Sequence, residues 1–171
     1  MTRPTSNTSN IANASRTFDT IVAAPTFSLG IRCDGDDWIE EIAFLSPQKE
    51  LPGKTPLAME AARQLHAYLH DPDFVFGLPL KPSGTGFQRR VWQQIAAIPS
   101  GQTHTYGALA KALNNAPRAV GQACGANPFP LAVPCHRVVA ANGGLGGFSR
   151  QGGGFLLDIK RWLLTHEQQC R

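Results

Sequence analysis

Pro134-Cys135-His136-Arg137 places a nucleophile, an imidazole and a guanidinium in succession. A thiol attacks only as thiolate, and free cysteine has a pKa of about 8.5, so a neighbouring imidazole and cation would favour the reactive form. The surrounding Leu131–Ala140 reads as extended. Neighbouring side chains of a strand point to opposite faces, so Cys135 and Arg137 would share a face and His136 would not. Contact between thiol and imidazole then needs a bridging water or a turn. By residue type alone, a buried structural cysteine beside a surface histidine is the more ordinary reading. The four cysteines, Cys33, Cys124, Cys135 and Cys170, form no CxxC pair and no cluster with zinc spacing. They read as free thiols with no metal.

A second constellation lies just upstream. Thr105 is a plausible cap for a helix over Tyr106–Leu113, Asn114-Asn115-Ala116-Pro117 is a turn, and Arg118–Ala126 is a further helix, a helix–turn–helix pattern. The last helix is built from small residues, two of them Gly, each costing about 1 kcal/mol relative to Ala. Such a helix suits a place where another backbone comes close, as in a nucleic-acid groove. The plain alternative is a small-residue helix packed against its neighbours.

The elements around these segments fall into two styles. Met1–Arg16 is a polar stretch expected to be a disordered leader. Residues 17–81 read as a small α/β domain. Phe27, Leu29 and Ile31 alternate, Asp34-Gly35-Asp36 turns, and Ile39, Ile42 and Phe44 continue the apolar run. Leu57–His70 is a one-faced helix, and Phe74–Leu80 is a candidate further strand. Residues 82–171 read as a mainly helical domain. Thr85 caps a helix carrying Phe87, Val91, Ile95 and Ile98. Asn142–Gly154 is a Gly-rich loop, and Leu156–Glu167 is the final helix. The fold class is therefore two-domain α/β.

The chain of 171 residues has 16 Lys+Arg against 12 Asp+Glu, a net charge of +4. Only Asp158 and Glu167 are acidic after Lys81, so an anionic partner would bind the C-terminal half. The opening residues lack a signal-peptide core, and no apolar run nears the ~20 residues that span a bilayer. A cytoplasmic protein without membrane association is expected.

Taken in order, Phe87-Gln88-x-x-Val91-Trp92, Ile98-Pro99-x-Gly101, Thr105-Tyr106, Arg118-Ala119-Val120-Gly121, Asn127-Pro128, Pro134-Cys135-His136-Arg137-Val138, Gly144-x-x-Gly147-Phe148 and Leu163-Leu164-x-x-Glu167 resemble the O6-alkylguanine-DNA alkyltransferases, also called methylated-DNA–protein-cysteine methyltransferases. The resemblance spans about residues 85 to 168. It implies a ribonuclease-H-like N-terminal domain and a C-terminal domain with a helix–turn–helix. It implies DNA repair by direct reversal: one alkyl group passes from O6-alkylguanine, or O4-alkylthymine, to the protein's own Cys135. The transfer follows minor-groove binding and nucleotide flipping, happens once per molecule, and needs no cofactor.

The roles follow residue by residue. Cys135 matches the acceptor, His136 and Glu167 the pair that draws off its proton through a water, Asn127 the turn asparagine, and Tyr106 the donor to the leaving guanine. Arg118 matches the arginine that enters the base stack. Ala119, Gly121, Gln122 and Thr105 belong with it to the DNA-binding set. Pro130, Val138, Phe148, Ser149 and Cys124 belong to the alkyl and base pocket. The partner implied is double-stranded DNA carrying O6-alkylguanine, met by a monomer, with clustering along DNA as the alternative. The sequence departs from the family at Phe148, where members often have Tyr, and in a longer stretch from Ser149 to Gly154. Three other readings compete. A non-catalytic damage sensor would lack the acceptor cysteine. A sequence-specific transcription factor would offer more long polar side chains on its helix. A cysteine hydrolase would need a separate, suitably placed His.

Overall fold

The computed structural model describes residues 17–146 and 154–169. The leader 1–16 and the pocket candidates Phe148 and Ser149 lie outside the described residues. The architecture is mixed α/β, with a three-stranded antiparallel sheet, a two-stranded parallel ribbon and five helices among the described residues.

The sheet runs β1 (Thr20–Ala23), β2 (Ser28–Asp34), β3 (Trp38–Leu45), in that spatial order. Phe27, Leu29 and Ile31 are fully buried with Ala58, Ala61 and Leu65 of α1 (Pro56–His70). Each such Leu or Ile contributes roughly 1.5–3 kcal/mol by leaving water. The other face of β2 is covered as well. A Cβ at Gly30 would lie 2.6 Å from the Phe18 ring and 2.8 Å from Leu45, so only glycine fits. The Arg32 guanidinium lies 4.1 Å from the Phe18 ring centroid.

Phe74–Leu80 does not form the further strand expected of it. Only Leu80 pairs, in an isolated parallel bridge to Ile39. Gly77 and Pro79 interrupt the run, and Val75 is 84% exposed, so an unbroken ladder is not available.

The C-terminal half starts with α2 (Gly86–Ala96), where Thr85 and Gln88 close a reciprocal capping box. Val91, Trp92, Ile95 and Ile98 are its buried stripe. Thr105 caps α3 (Tyr106–Ala112) through Ala108 N at 3.0 Å. A turn through Asn114, at φ 51, leads into α4 (Pro117–Gly125). Trp92 Nε1 donates to Ala123 O at 2.8 Å and pins the end of α4 on α2. The final helix is α5 (Phe155–Gln168).

The segment before the Gly-rich loop departs from the extended reading of Leu131–Ala140. Cys135–Arg137 is a 3-10 turn, and only Val138–Val139 (β5) is strand, parallel to β4 (His104–Thr105). The turn is closed by Arg137 N to Pro134 O at 3.0 Å. Leu131, at φ 74, reverses the chain just ahead of it, an outlying conformation for a bulky residue. The opposite-face argument for Cys135 and His136 therefore does not apply.

The two halves are joined by buried contacts. Phe27 meets Trp162 of α5 edge-on at 5.4 Å between ring centroids. Ile42 N donates to Pro128 O at 2.9 Å, and His166 Nε2 lies 2.9 Å from Tyr68 O. No described helix is long and apolar enough to cross a membrane.

Candidate functional site

Cys135 opens the 3-10 turn and is only 3% exposed. Asn127, two residues past α4, ties the surrounding segment together. Its Nδ2 donates to Val133 O at 2.8 Å and to Cys135 Sγ at 3.1 Å, and its Oδ1 accepts from Phe129 N at 2.9 Å. One side chain thus fixes the end of α4, the turn and the sulfur.

Behind the turn, His136 Nε2 is 2.7 Å from Glu167 Oε1, with both side chains buried. Glu167 gathers further donors: Tyr68 Oη at 2.9 Å, Arg137 Nη2 at 2.8 Å and Gly101 N at 3.2 Å. Arg137 Nη1 also donates to Ile98 O at 2.6 Å. Burial alone would raise the Glu167 pKa, but the hydrogen bonds and charges of His136 and Arg137 outweigh it and hold the carboxyl well below the usual range. Burial pushes the His136 imidazole down, against the pull of Glu167. The resting state is then a carboxylate paired with Arg137 and a neutral imidazole. A neutral ring that gives its Nε2 proton to Glu167 leaves Nδ1 as the free base.

Lys160 of α5 is fully buried. Its Nζ donates to Val138 O at 2.7 Å, lies 3.5 Å from the Tyr106 hydroxyl and 5.7 Å from that ring's centroid. Burial pushes its pKa down to about 8, while the thiols of Cys124 and Cys135 favour its charge. Tyr106 opens α3 and is half-buried, and burial together with the two thiols raises its pKa. A Cβ at Gly146, at φ 68, would lie 2.8 Å from the Tyr106 ring, so the loop backbone presses on that ring.

Cys124 lies half-buried in the last turn of α4. Interaction with Cys124 raises the Cys135 pKa, burial adds to the rise, and the Cys124 pKa falls. The expectation that His136 and a nearby cation lower the Cys135 pKa is therefore not met in this geometry. Asn127 and Lys160 do pull it down, but by less.

The other sequence-predicted residues are placed as follows. Arg118 and Gln122, four apart on α4, are exposed, while Ala119 and Gly121 are half-buried and nothing lies within 4 Å of a Cβ at Gly121. Thr105 spends its hydroxyl on the α3 cap. Pro130 is half-buried, and Val138 is fully buried with its carbonyl held by Lys160.

Three participants were missed from the sequence: Lys160, Tyr68, and Arg137 as a partner of Glu167. Lys160, Leu163 and Glu167 recur at i, i+3 and i+7, so the buried stripe of α5 carries both charges. That spacing was the available signal. Tyr68 had none, because its partner lies 99 residues away.

Lys160 can be tested by linkage. Its folded pKa is depressed from 10.5 to about 8, so the stability tied to its deprotonation is present above 10.5 and lost as pH falls through 8. Against Lys160→Met, wild type should gain on the order of 3 kcal/mol between pH 8 and 10.5. Urea unfolding at several pH values reads this. A constant difference would remove the buried ammonium from the account.

Comparison with known proteins bears on this geometry. The family described as 6-O-methylguanine DNA methyltransferase, DNA binding domain, matches residues 86–169. The methylated-DNA–protein-cysteine methyltransferase of Methanosarcina acetivorans is 42% identical over 137 residues, which is 79% of this chain and 76% of that one. The crystal structure of the Mycobacterium tuberculosis O6-methylguanine methyltransferase superposes with a TM-score of 0.72 at 34% identity, covering 90% of this chain and 93% of that one. Mycobacterium tuberculosis OGT in complex with DNA gives 0.70 at 34% identity, covering 87% and 91%.

Proposed function

This chain belongs to the methylated-DNA–protein-cysteine methyltransferase family, and from that premise we infer how its own atoms carry the reaction. It binds DNA and repairs it by transferring an alkyl group from a modified base to a cysteine. In our reading the acceptor is Cys135 and the substrate is O6-alkylguanine in duplex DNA. The observation that carries the assignment is the sulfur's setting: Cys135 Sγ is held by Asn127 at 3.1 Å beside the buried His136–Glu167 pair.

The C-terminal residues from 82 act as the DNA-binding and acceptor domain, on a ribonuclease-H-like domain of residues 17–81. The α3–turn–α4 unit serves as a helix–turn–helix. Its outer face, with Gly121 open and Arg118 and Gln122 exposed, enters the minor groove, where small side chains permit close approach. An alkyl carbon on guanine O6 is out of reach inside a duplex, so the nucleotide swings out. Arg118 occupies the space it leaves. The free cysteines among the described residues suit a reducing compartment such as the cytoplasm.

In the chemical step, the Cys135 proton passes through a water to His136 Nδ1. The imidazolium is stabilised by Glu167, the logic of other nucleophile–base–orienter sets. The thiolate attacks the alkyl carbon, the C–S bond forms and the C–O6 bond breaks. The leaving purine gains electron density and takes a hydrogen bond from Tyr106, whose hydroxyl is polarised by Lys160. The product is a thioether that no step reopens, so each molecule acts once. The proton taken up by His136 is returned through solvent to the purine anion, so the step balances without a cofactor.

The test is intact mass followed by peptide mapping after one equivalent of O6-methylguanine duplex. One methyl should appear, on Cys135. Methyl on Cys33, Cys124 or Cys170 would overturn the assignment.

A further inference from the structure

Flipping and alkyl transfer leave one polar side chain of α4 without a task. Arg118 fills the gap in the base stack, while Gln122, about one turn further on, takes part in neither step. Both are exposed, and among the described residues neither side chain hydrogen-bonds to the protein. The helix surface beside Gln122 is bare. Gly121 has open space where a side chain would stand, and the helix ends at Gly125. Of the nine α4 residues, only Gln122 carries a strong donor and a strong acceptor together. Its orientation is fixed from the inner side of the helix. Val120 and Ala123 are buried, and Trp92 Nε1 holds Ala123 O at 2.8 Å. Asn127 couples the segment after α4 to Val133 O and Cys135 Sγ. A nucleotide delivered to the sulfur therefore sets where along the duplex each α4 side chain lies.

We propose that Gln122 reads the guanine of a neighbouring base pair from the minor groove, so that the transfer rate depends on the sequence beside the lesion. This dependence rests on α4 entering the minor groove, the role proposed for it above. Four residues advance a helix by about 6 Å, and base pairs stack about 3.4 Å apart. Gln122 thus reaches the first or second pair from the gap that Arg118 fills. The minor-groove edge of guanine sets an acceptor, N3, beside a donor, the N2 amine. The carboxamide meets both: Nε2 donates to N3, and Oε1 accepts from the amine. Adenine has N3 but no amine, so Oε1 would be buried without a donor. One such pairing is worth on the order of tenfold between the right and the wrong base. A single reading side chain gives a preference at one pair, not a binding site of defined sequence.

Single-turnover transfer to the full-length protein is timed on duplexes carrying O6-methylguanine. One pair at a time, in the first two positions on either side, is G·C, inosine·C, A·T or 2,6-diaminopurine·T. Inosine is guanine without the N2 amine, and 2,6-diaminopurine is adenine with it. At one position wild type should run about tenfold slower on inosine·C and A·T than on G·C. There, 2,6-diaminopurine·T should restore the rate. The sign separates reading from duplex strength. Removing the amine weakens a pair and eases flipping, so a strength effect alone would speed inosine·C and slow 2,6-diaminopurine·T. Gln122→Ala should lose the preference and leave only that opposite trend. The wild-type comparison needs no variant. No preference for the amine at any position in wild type, or a preference that Gln122→Ala retains, overturns the proposal while transfer to Cys135 stands. Slowing by 7-deazaguanine, which alters only the major-groove edge, with none by inosine, overturns the minor-groove role of α4 and the proposal with it.

Discussion

Glu167→Gln should slow alkyl transfer at neutral pH by roughly 10²- to 10³-fold, within the range of general-base contributions. It should also move the rate profile to higher pH. The carboxylate accepts from Tyr68, His136, Arg137 and Gly101. Glutamine of the same shape keeps one acceptor oxygen and turns an amide NH2 toward groups that are themselves donors. His136 then loses the charge that stabilises its imidazolium and becomes a weaker base, so Cys135 gives up its proton only at higher pH. Arg137 loses its buried counterion, and breaking such a pair costs roughly 3–5 kcal/mol of stability. The sign with pH follows from the depressed Glu167 pKa. Its stabilisation is complete above the ordinary carboxylate pKa of about 4.5 and is lost as pH falls through the lower folded value. The deficit of Glu167→Gln should therefore hold at neutral pH and shrink in acid. Tyr68→Phe, which removes one donor and no charge, is the control and should leave the rate profile in place. DNA affinity should hardly change, since Glu167 is not on α4. A wild-type rate profile for Glu167→Gln would reduce this residue to a structural anchor.

Arg118→Ala should slow transfer from duplex DNA by about 30-fold while transfer from free O6-alkylguanine base stays nearly unchanged. Arg118 is exposed near the start of α4, where Ala116 provides no side-chain cap. A cation there works mildly against the helix dipole, so its removal should not destabilise the fold. Unstacking a nucleotide costs a few kcal/mol. If the guanidinium offsets about 2 kcal/mol of that, the 30-fold figure follows at 1.36 kcal/mol per decade. The free base has no stack to leave and escapes the penalty. Rates on both substrates, compared with thermal unfolding, separate the roles. Equal losses on the two would assign Arg118 to the structure rather than to flipping.

Local physics made much of this protein readable before any coordinates. Thr85 and Thr105 announce helix starts because a hydroxyl there satisfies an otherwise unpaired N–H, and both do so. The alternation of Phe27, Leu29 and Ile31 marks a strand because one face must leave water, and the β2 core follows it. Pro134-Cys135-His136-Arg137, with Asn127 upstream and Glu167 far downstream, identified the chemistry through the order of residue types. Where local signals competed, the reading failed. Val75 and Phe76 favour a strand, but Gly77 and Pro79 deny it a ladder. Leu131–Ala140 is apolar enough to be extended, yet Asn127 and the Leu131 reversal fold its middle into a turn.

The sequence by itself determined the family and most of the elements, because capping, periodicity and motif order act over a few residues at a time. Only the tertiary structure decided the electrostatics of the site. Lys160 beneath Tyr106 and Tyr68 against Glu167 across 99 residues of chain are contacts between elements. Burial turns each of these contacts into a shifted pKa, and burial belongs to the packed molecule rather than to any segment of it.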